Sequence, residues 1–150
     1  MAPDDTGVLK LRAEDVDDLA VISACLQDAL VLVRDFAYVP EDRTFLFVAN
    51  RFRWEGGLRP APGEAGFERT LCGITFSEVI AVSYSGFRRS EDSRILSLLA
   101  IWTEEGAVTL EFSGGAAIRL EVARILCHAK DIGEPWPTPW QPRHDLDEPA

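Results

Sequence analysis

The hydrophobic pattern is sharpest between Ala107 and Ala129. Val108, Leu110 and Phe112 alternate with Thr109 and Glu111, Ser113-Gly114-Gly115 breaks the run, and Ile118, Leu120 and Val122 alternate with Arg119 and Glu121. A period of two sends successive side chains to opposite faces of a sheet. Glycine accepts the positive φ that a tight turn needs. The stretch therefore predicts two antiparallel strands, each buried on one side. After Val122 the apolar positions change parity, to Ile125, Cys127 and Ala129. A strand continuing through a β-bulge explains the slip; a helix is the alternative, because 118, 122, 125 and 129 also fit helical spacing. The Gly-Gly turn before it favours the strand.

The rest of the chain reads in the same terms. Val8 to Leu11 predicts a short edge strand. Ala13 to Asp28 predicts a helix: Asp15 is a good N-cap, Asp17 and Asp18 suit the positive helix end, and Leu19, Ile22 and Leu26 share a face. Ala29 to Val39 is β-like, Pro40 to Arg43 a turn, and Thr44 to Phe52 a strand. That strand is apolar on both faces, Phe45 and Phe47 on one and Leu46 and Val48 on the other, so the helix is expected to cover one of them. Gly56 to Gly66, with four glycines and two prolines, reads as a loop. Glu68 to Ser85 reads as a strand with a bulge near Glu78-Val79. Arg88 to Arg94 is a charged loop, and Ile95 to Trp102 an apolar strand ending at the turn Glu104-Glu105-Gly106.

An internal repeat emerges from this order. Residues 36–52 (FAYVPEDRTFLFVANRF) resemble residues 99–115 (LAIWTEEGAVTLEFSGG), and Ile74 to Phe76 with Ile80 and Val82 resemble Ile118 to Leu120 with Ile125 and Cys127. The fold expected is α+β: a mostly antiparallel sheet, as a sandwich or partly open barrel of two similar three-stranded meanders, with one N-terminal helix. A single domain is expected over residues 1–150. Residues 1–7 read as a frayed terminus. Residues 133–150 (GEPWPTPWQPRHDLDEPA) read as a strap, because five prolines argue against helix or central strand and two indoles, Trp136 and Trp140, seek cover.

Composition narrows the functions. The hydrophobic share of 47% is that of a packed protein, and the net charge of −10 repels phosphate backbones and anionic membrane surfaces. No nucleic acid and no membrane partner are expected. No basic-then-apolar leader opens the chain and no apolar run nears the roughly 20 residues that cross a bilayer, so a cytoplasmic protein is expected. Three widely spaced cysteines, Cys25, Cys72 and Cys127, fit reduced thiols.

Five stretches carry a resemblance: LQDAL (26–30), VANRFRWE (48–55), ILSLLAIW (95–102), FSGGAAIRLEV (112–122) and PRHDLDE (142–148). Together they resemble an uncharacterised bacterial family, domain of unknown function 2948, over nearly the whole chain. The resemblance implies a cytosolic bacterial origin and brings no activity, cofactor or site residue.

Candidate chemistry is sparse. Two histidines, His128 and His144, and the scattered cysteines offer no metal-ligand spacing, and no phosphate loop or nucleophile elbow occurs, so neither metal nor cofactor is expected. Two polar clusters remain as speculative binding residues. Arg51, Arg53 and Trp54 end a strand beside the Gly-rich loop, and Arg143, His144 and Asp145 end the strap. Arginine with an aromatic ring recognises acidic or planar ligands; the plainer role of Arg51 and Arg53 is to balance acidic neighbours. The expected function is a small non-enzymatic binding or protein-interaction module, with a homodimer through a sheet face or edge as one form. The alternative is a small enzyme using His144 and carboxylates as acid and base.

Overall fold

The computed structural model describes residues 9–52 and 68–137. Ten strands and one helix follow in order: β1 (Lys10–Ala13), α1 (Val16–Cys25), β2 (Leu30–Leu32), β3 (Ala37–Val39), β4 (Thr44–Phe52), β5 (Glu68–Phe76), β6 (Val79–Ser85), β7 (Ile95–Glu104), β8 (Ala107–Phe112), β9 (Ala117–Val122) and β10 (Cys127–Pro137). All pairings are antiparallel, and the sheet runs β1-β10-β5-β4-β2-β7-β8-β9-β6, with β3 added to β4. β1 and β6 end that order without meeting, so the sheet is not closed into a barrel. The fold is α+β, as the alternation predicts.

The sheet curls round one apolar core. Phe36 sits at its centre, with ring centroids 5.5 Å from both Phe47 on β4 and Phe112 on β8, although these strands are three places apart in the sheet. The fully buried partners Phe45, Ile74, Leu98, Leu110, Ile118 and Leu120 come from both ends of the order. Burying each such side chain contributes about 1.5–3 kcal/mol.

The helix starts where its cap residue places it. Asp15 is extended (φ −147°) and its carboxylate accepts from the Asp18 amide at 2.8 Å. Leu19, Ile22 and Leu26 are buried. The helix does not cover β4, however. Only four residues separate α1 from β2, which pairs with β7, and the helix packs on β7 and β1. The Ile101 amide donates to the Ser23 hydroxyl at 3.0 Å, and the Asp28 amide to the Leu98 carbonyl at 2.8 Å. On the outer face of β4, Leu46 keeps 38% of its surface in water.

The slip expected as a bulge after Val122 turns out to be a corner, and that near Glu78-Val79 is a corner with a bulge beside it. β5 ends at Phe76, Glu78 takes a positive φ of 60°, and the chain leaves for the other end of the sheet as β6. β9 ends at Val122 and the chain crosses back as β10. A parity slip reports a change of face, and a corner produces it as readily as a bulge. A true bulge lies just beyond, between Val79 and Ala81 opposite β9. No residue of 118–130 is helical.

The repeat is visible in the register. Phe47 faces Ile74 and Phe45 faces Phe76; in the second half Leu110 faces Ile118 and Val108 faces Leu120. The turns match too. The Arg43 carbonyl accepts from Val79 at 2.8 Å and the Gly106 carbonyl from Val122 at 2.9 Å, both turn residues being left-handed (φ 52° and 73°). The third strands are exchanged: β6 leaves the first half to pair with β9, and β10 leaves the second to pair with β5. Val82 therefore faces Leu120 as Cys127 faces Phe76, and Tyr84 faces Ile118 as Ala129 faces Ile74.

The described start of the strap is extended and continues β10. Gly133 to Pro137 stay in β10, with a register shift after Ile132 and then Trp136 opposite Arg69 and Pro137 opposite Glu68. β1 pairs no further along β10 than Lys130, so among the described residues the strand there has one pairing neighbour, a place where a proline's missing N–H is tolerated. The expectations for both indoles, for residues 1–7 and for the Gly56–Gly66 loop lie outside what is described.

Candidate functional site

Apart from Thr109 on β8, the described polar residues that the fold buries gather at one end of the sheet. Asn50, Arg51, Arg69, Thr70 and Asp131 are all buried there, where β4, β5, β10 and the residue before β1 come together. Alternation explains the arrangement. Arg51 continues the inward series Phe45, Phe47 and Ala49; Asp131 continues Cys127 and Ala129; between them, on β5, lie Thr70 and Cys72.

Arg51 reaches across β5 to Asp131 in a forked pair. Its Nε donates to Oδ1 at 2.8 Å and an Nη to Oδ2 at 2.6 Å, while the other Nη donates to the Phe52 carbonyl at 3.0 Å. Oδ2 also accepts from the Leu9 amide at 2.7 Å, and the Leu9 carbonyl accepts from the Asp131 amide at 2.9 Å. The side chains are 0% and 3% exposed. Two charges so far from water persist only when geometry and further hydrogen bonds compensate for desolvation, and a planar guanidinium on a carboxylate does so best. The pair fastens β4 to β10, and through Leu9 it fastens the start of β1.

Cys72 lies under this pair. Burial first, and then the Asp131 charge, push its thiol up to about 12. Burial likewise raises Cys127. Both stay protonated near neutral pH, which makes them poor nucleophiles. None of the three cysteines forms a disulfide.

A second arginine works the outer face. Arg69 stands opposite Phe52, its guanidinium carbon 4.1 Å from the ring centroid, with Nε on the Asn50 side-chain oxygen and an Nη on the Asn50 carbonyl at 2.6 Å. The strand end Asn50-Arg51-Phe52 thus carries a cation on each side of the sheet.

Of the residues singled out by sequence, Arg51 is the one this cluster contains, and its guanidinium is committed to Asp131 and Phe52. Arg53, Trp54, Arg143, His144 and Asp145 lie outside the described residues. Sequence reasoning missed Asp131, Arg69 and Cys72. Asp131 had a readable signal, since it falls on the inward parity of Cys127 and Ala129, where a carboxylate needs a cation. His128 is on the outward parity, exposed and opposite Arg12. Among the described residues no group of three His, Cys, Asp or Glu could hold a metal ion. Clefts of about 280, 370 and 440 Å³ lie along β7 and β8; Trp102 lines the first two.

The molecule is thus an antiparallel β protein with one packed helix and a buried ionic clamp at one sheet end. The chain belongs to the family described as Protein of unknown function (DUF2948), whose model matches residues 9–144. No curated protein and no solved structure matches the chain. Among the described residues no helix is long and apolar enough to cross a membrane.

Proposed function

We propose that the chain is a small cytoplasmic, non-enzymatic protein-interaction module. One observation carries this reading: the outer edge of β6. The strand reads VIAVSYS, with no charge, no proline and no glycine over seven residues, and among the described residues it ends the sheet. Natural edges are ordinarily short, charged or covered, because their unpaired amides and carbonyls recruit other strands. β1 at the opposite end follows that rule, with four residues and outward Lys10 and Arg12. An unprotected edge is the feature on which β-strand addition depends.

Three cysteines outside any disulfide, two of them buried and protonated, support a reducing compartment. The net charge of −10 supports a protein partner over nucleic acid. The test is native mass spectrometry of the protein isolated from its source cells, with amide exchange read at residues 80–85 in the same preparation. A retained protein chain with slowed exchange at β6 is expected. A retained small molecule with β6 exchanging freely overturns the reading.

A further inference from the structure

The exchanged strands make β6 and β10 counterparts, yet their outer edges differ. β1 covers β10, with Leu11 opposite Ala129 and Ala13 opposite Cys127, and both covered side chains are 0% exposed. The corresponding residues of β6, Val82 and Tyr84, are half-buried. Tyr84 is flanked by Phe87, ring centroids 5.9 Å apart, and by Arg89, 4.7 Å from its ring. The Val79 end is closed, because its carbonyl accepts from the Tyr38 hydroxyl at 3.1 Å and its amide donates to Arg43. From Ile80 to Ser85 the outer backbone has no partner among the described residues, and Ile80 is 57% exposed. The molecule thus holds a template for what fits: an antiparallel strand that lays apolar side chains over Val82 and Tyr84.

We infer that the occupant is a second copy of the chain, paired through β6 about a two-fold axis at Ser83. The inference rests on reading this edge as an interaction surface. Charge selects the arrangement. Glu78 precedes the open edge and Arg88 and Arg89 follow it. Antiparallel pairing centred on Ser83 sets Val82 against the partner's Tyr84 and brings Glu78 towards the partner's Arg88. Parallel pairing sets like charges together. Two chains of net charge −10 repel at a distance, so their seam must be free of carboxylates, and residues 79–85 contain none. The two-fold closes the assembly and leaves neither β6 edge open.

The test uses the full chain in three forms: wild type, Ser83→Lys and Ser83→Glu. Ser83 is exposed, so either side chain is tolerated by the fold. Light scattering coupled to size exclusion is expected to give twice 16.6 kDa for the wild type. Each variant alone places like charges across the axis and is expected to raise the dissociation constant about 10- to 100-fold. Mixing the two variants restores a dimer, seen in native mass spectra as a one-to-one mixed species; a misfolded variant does not behave so. A wild type that stays monomeric to about 100 μM, or a dimer unmoved by either substitution, overturns the inference. A monomer that retains a different protein on β6 overturns the second copy while the module reading stands.

Discussion

The two halves of this molecule share a register and differ in how their third strands are finished. In the β10 region a strand is added outside, two thiols are sealed beneath it, and a buried ionic pair ties β4, β10 and the start of β1 together. In the β6 region the matching strand is left open, and the position matching Cys127 is a half-buried valine. Shared register fixes which residues face the core. It does not fix what a strand's second edge meets, and there one half has been closed and the other left available.

Breaking the closed half gives the largest effect. Asp131→Ala or Arg51→Ala leaves a charge buried without its partner and is expected to cost about 3–5 kcal/mol, out of the roughly 5–15 typical of a domain. Denaturant midpoints measure the loss, and amide exchange should quicken at Leu9 to Ala13 before the core. The joint replacement Arg51→Met with Asp131→Leu should recover most of it. A loss under about 1 kcal/mol for either single change means that the clamp does not hold this edge.

The equivalence of the halves can be tested at Ile74 and Ile118, both 0% exposed. Each change to alanine should cost about 2–5 kcal/mol. Costs that differ by more than about that range's width show that matching register does not mean matching packing. A smaller effect separates the halves by pH. Cys72 ionises at 9.0 when unfolded and at about 12 when folded, so above pH 9 only the unfolded chain releases this proton. Stability from this thiol therefore falls as pH rises, by about 1.4 kcal/mol per unit between those values, and is fully present below them. Cys72→Ala should flatten the alkaline limb of a melting-temperature profile; an unchanged slope refutes the assignment. The least perturbing test is labelling. Cys25 is half-buried and should react with a thiol reagent first, while Cys72 and Cys127 wait for opening of the β10 half. Intact mass should be the same before and after reduction.

Much of this fold was legible because alternation is a local signal. Thr44 to Phe52 and the 107–122 hairpin read directly, and Asp15 announced the helix. The corners at Glu78 and Ala123 were not legible as corners, since parity records a change of face and carries nothing about which strand comes alongside. Nor did the helix's hydrophobic face state which strand it meets. At the site, Arg51 was visible as a charge on an otherwise apolar parity. Its partner stands 80 residues away, and no local pattern connects them. The outer stack of Arg69 on Phe52 depends on a register that the sequence of either strand alone does not reveal.

The exchange of β6 and β10 has a kinetic consequence. Neither half can place the strand that follows its meander, because β6 pairs only with β9 and β10 only with β5 and β1. Sequence-adjacent strands can pair early, in β3–β4–β5 and β7–β8–β9, and the last step must bring residues 32 to 43 apart into register in β6–β9 and residues 51 to 69 apart in β5–β10. Chains whose decisive contacts are this distant fold over milliseconds to seconds, where local helical folds take microseconds. The nascent protein also cannot commit its first half until β9 has left the ribosome, so the unpaired β6 segment is held in waiting throughout synthesis.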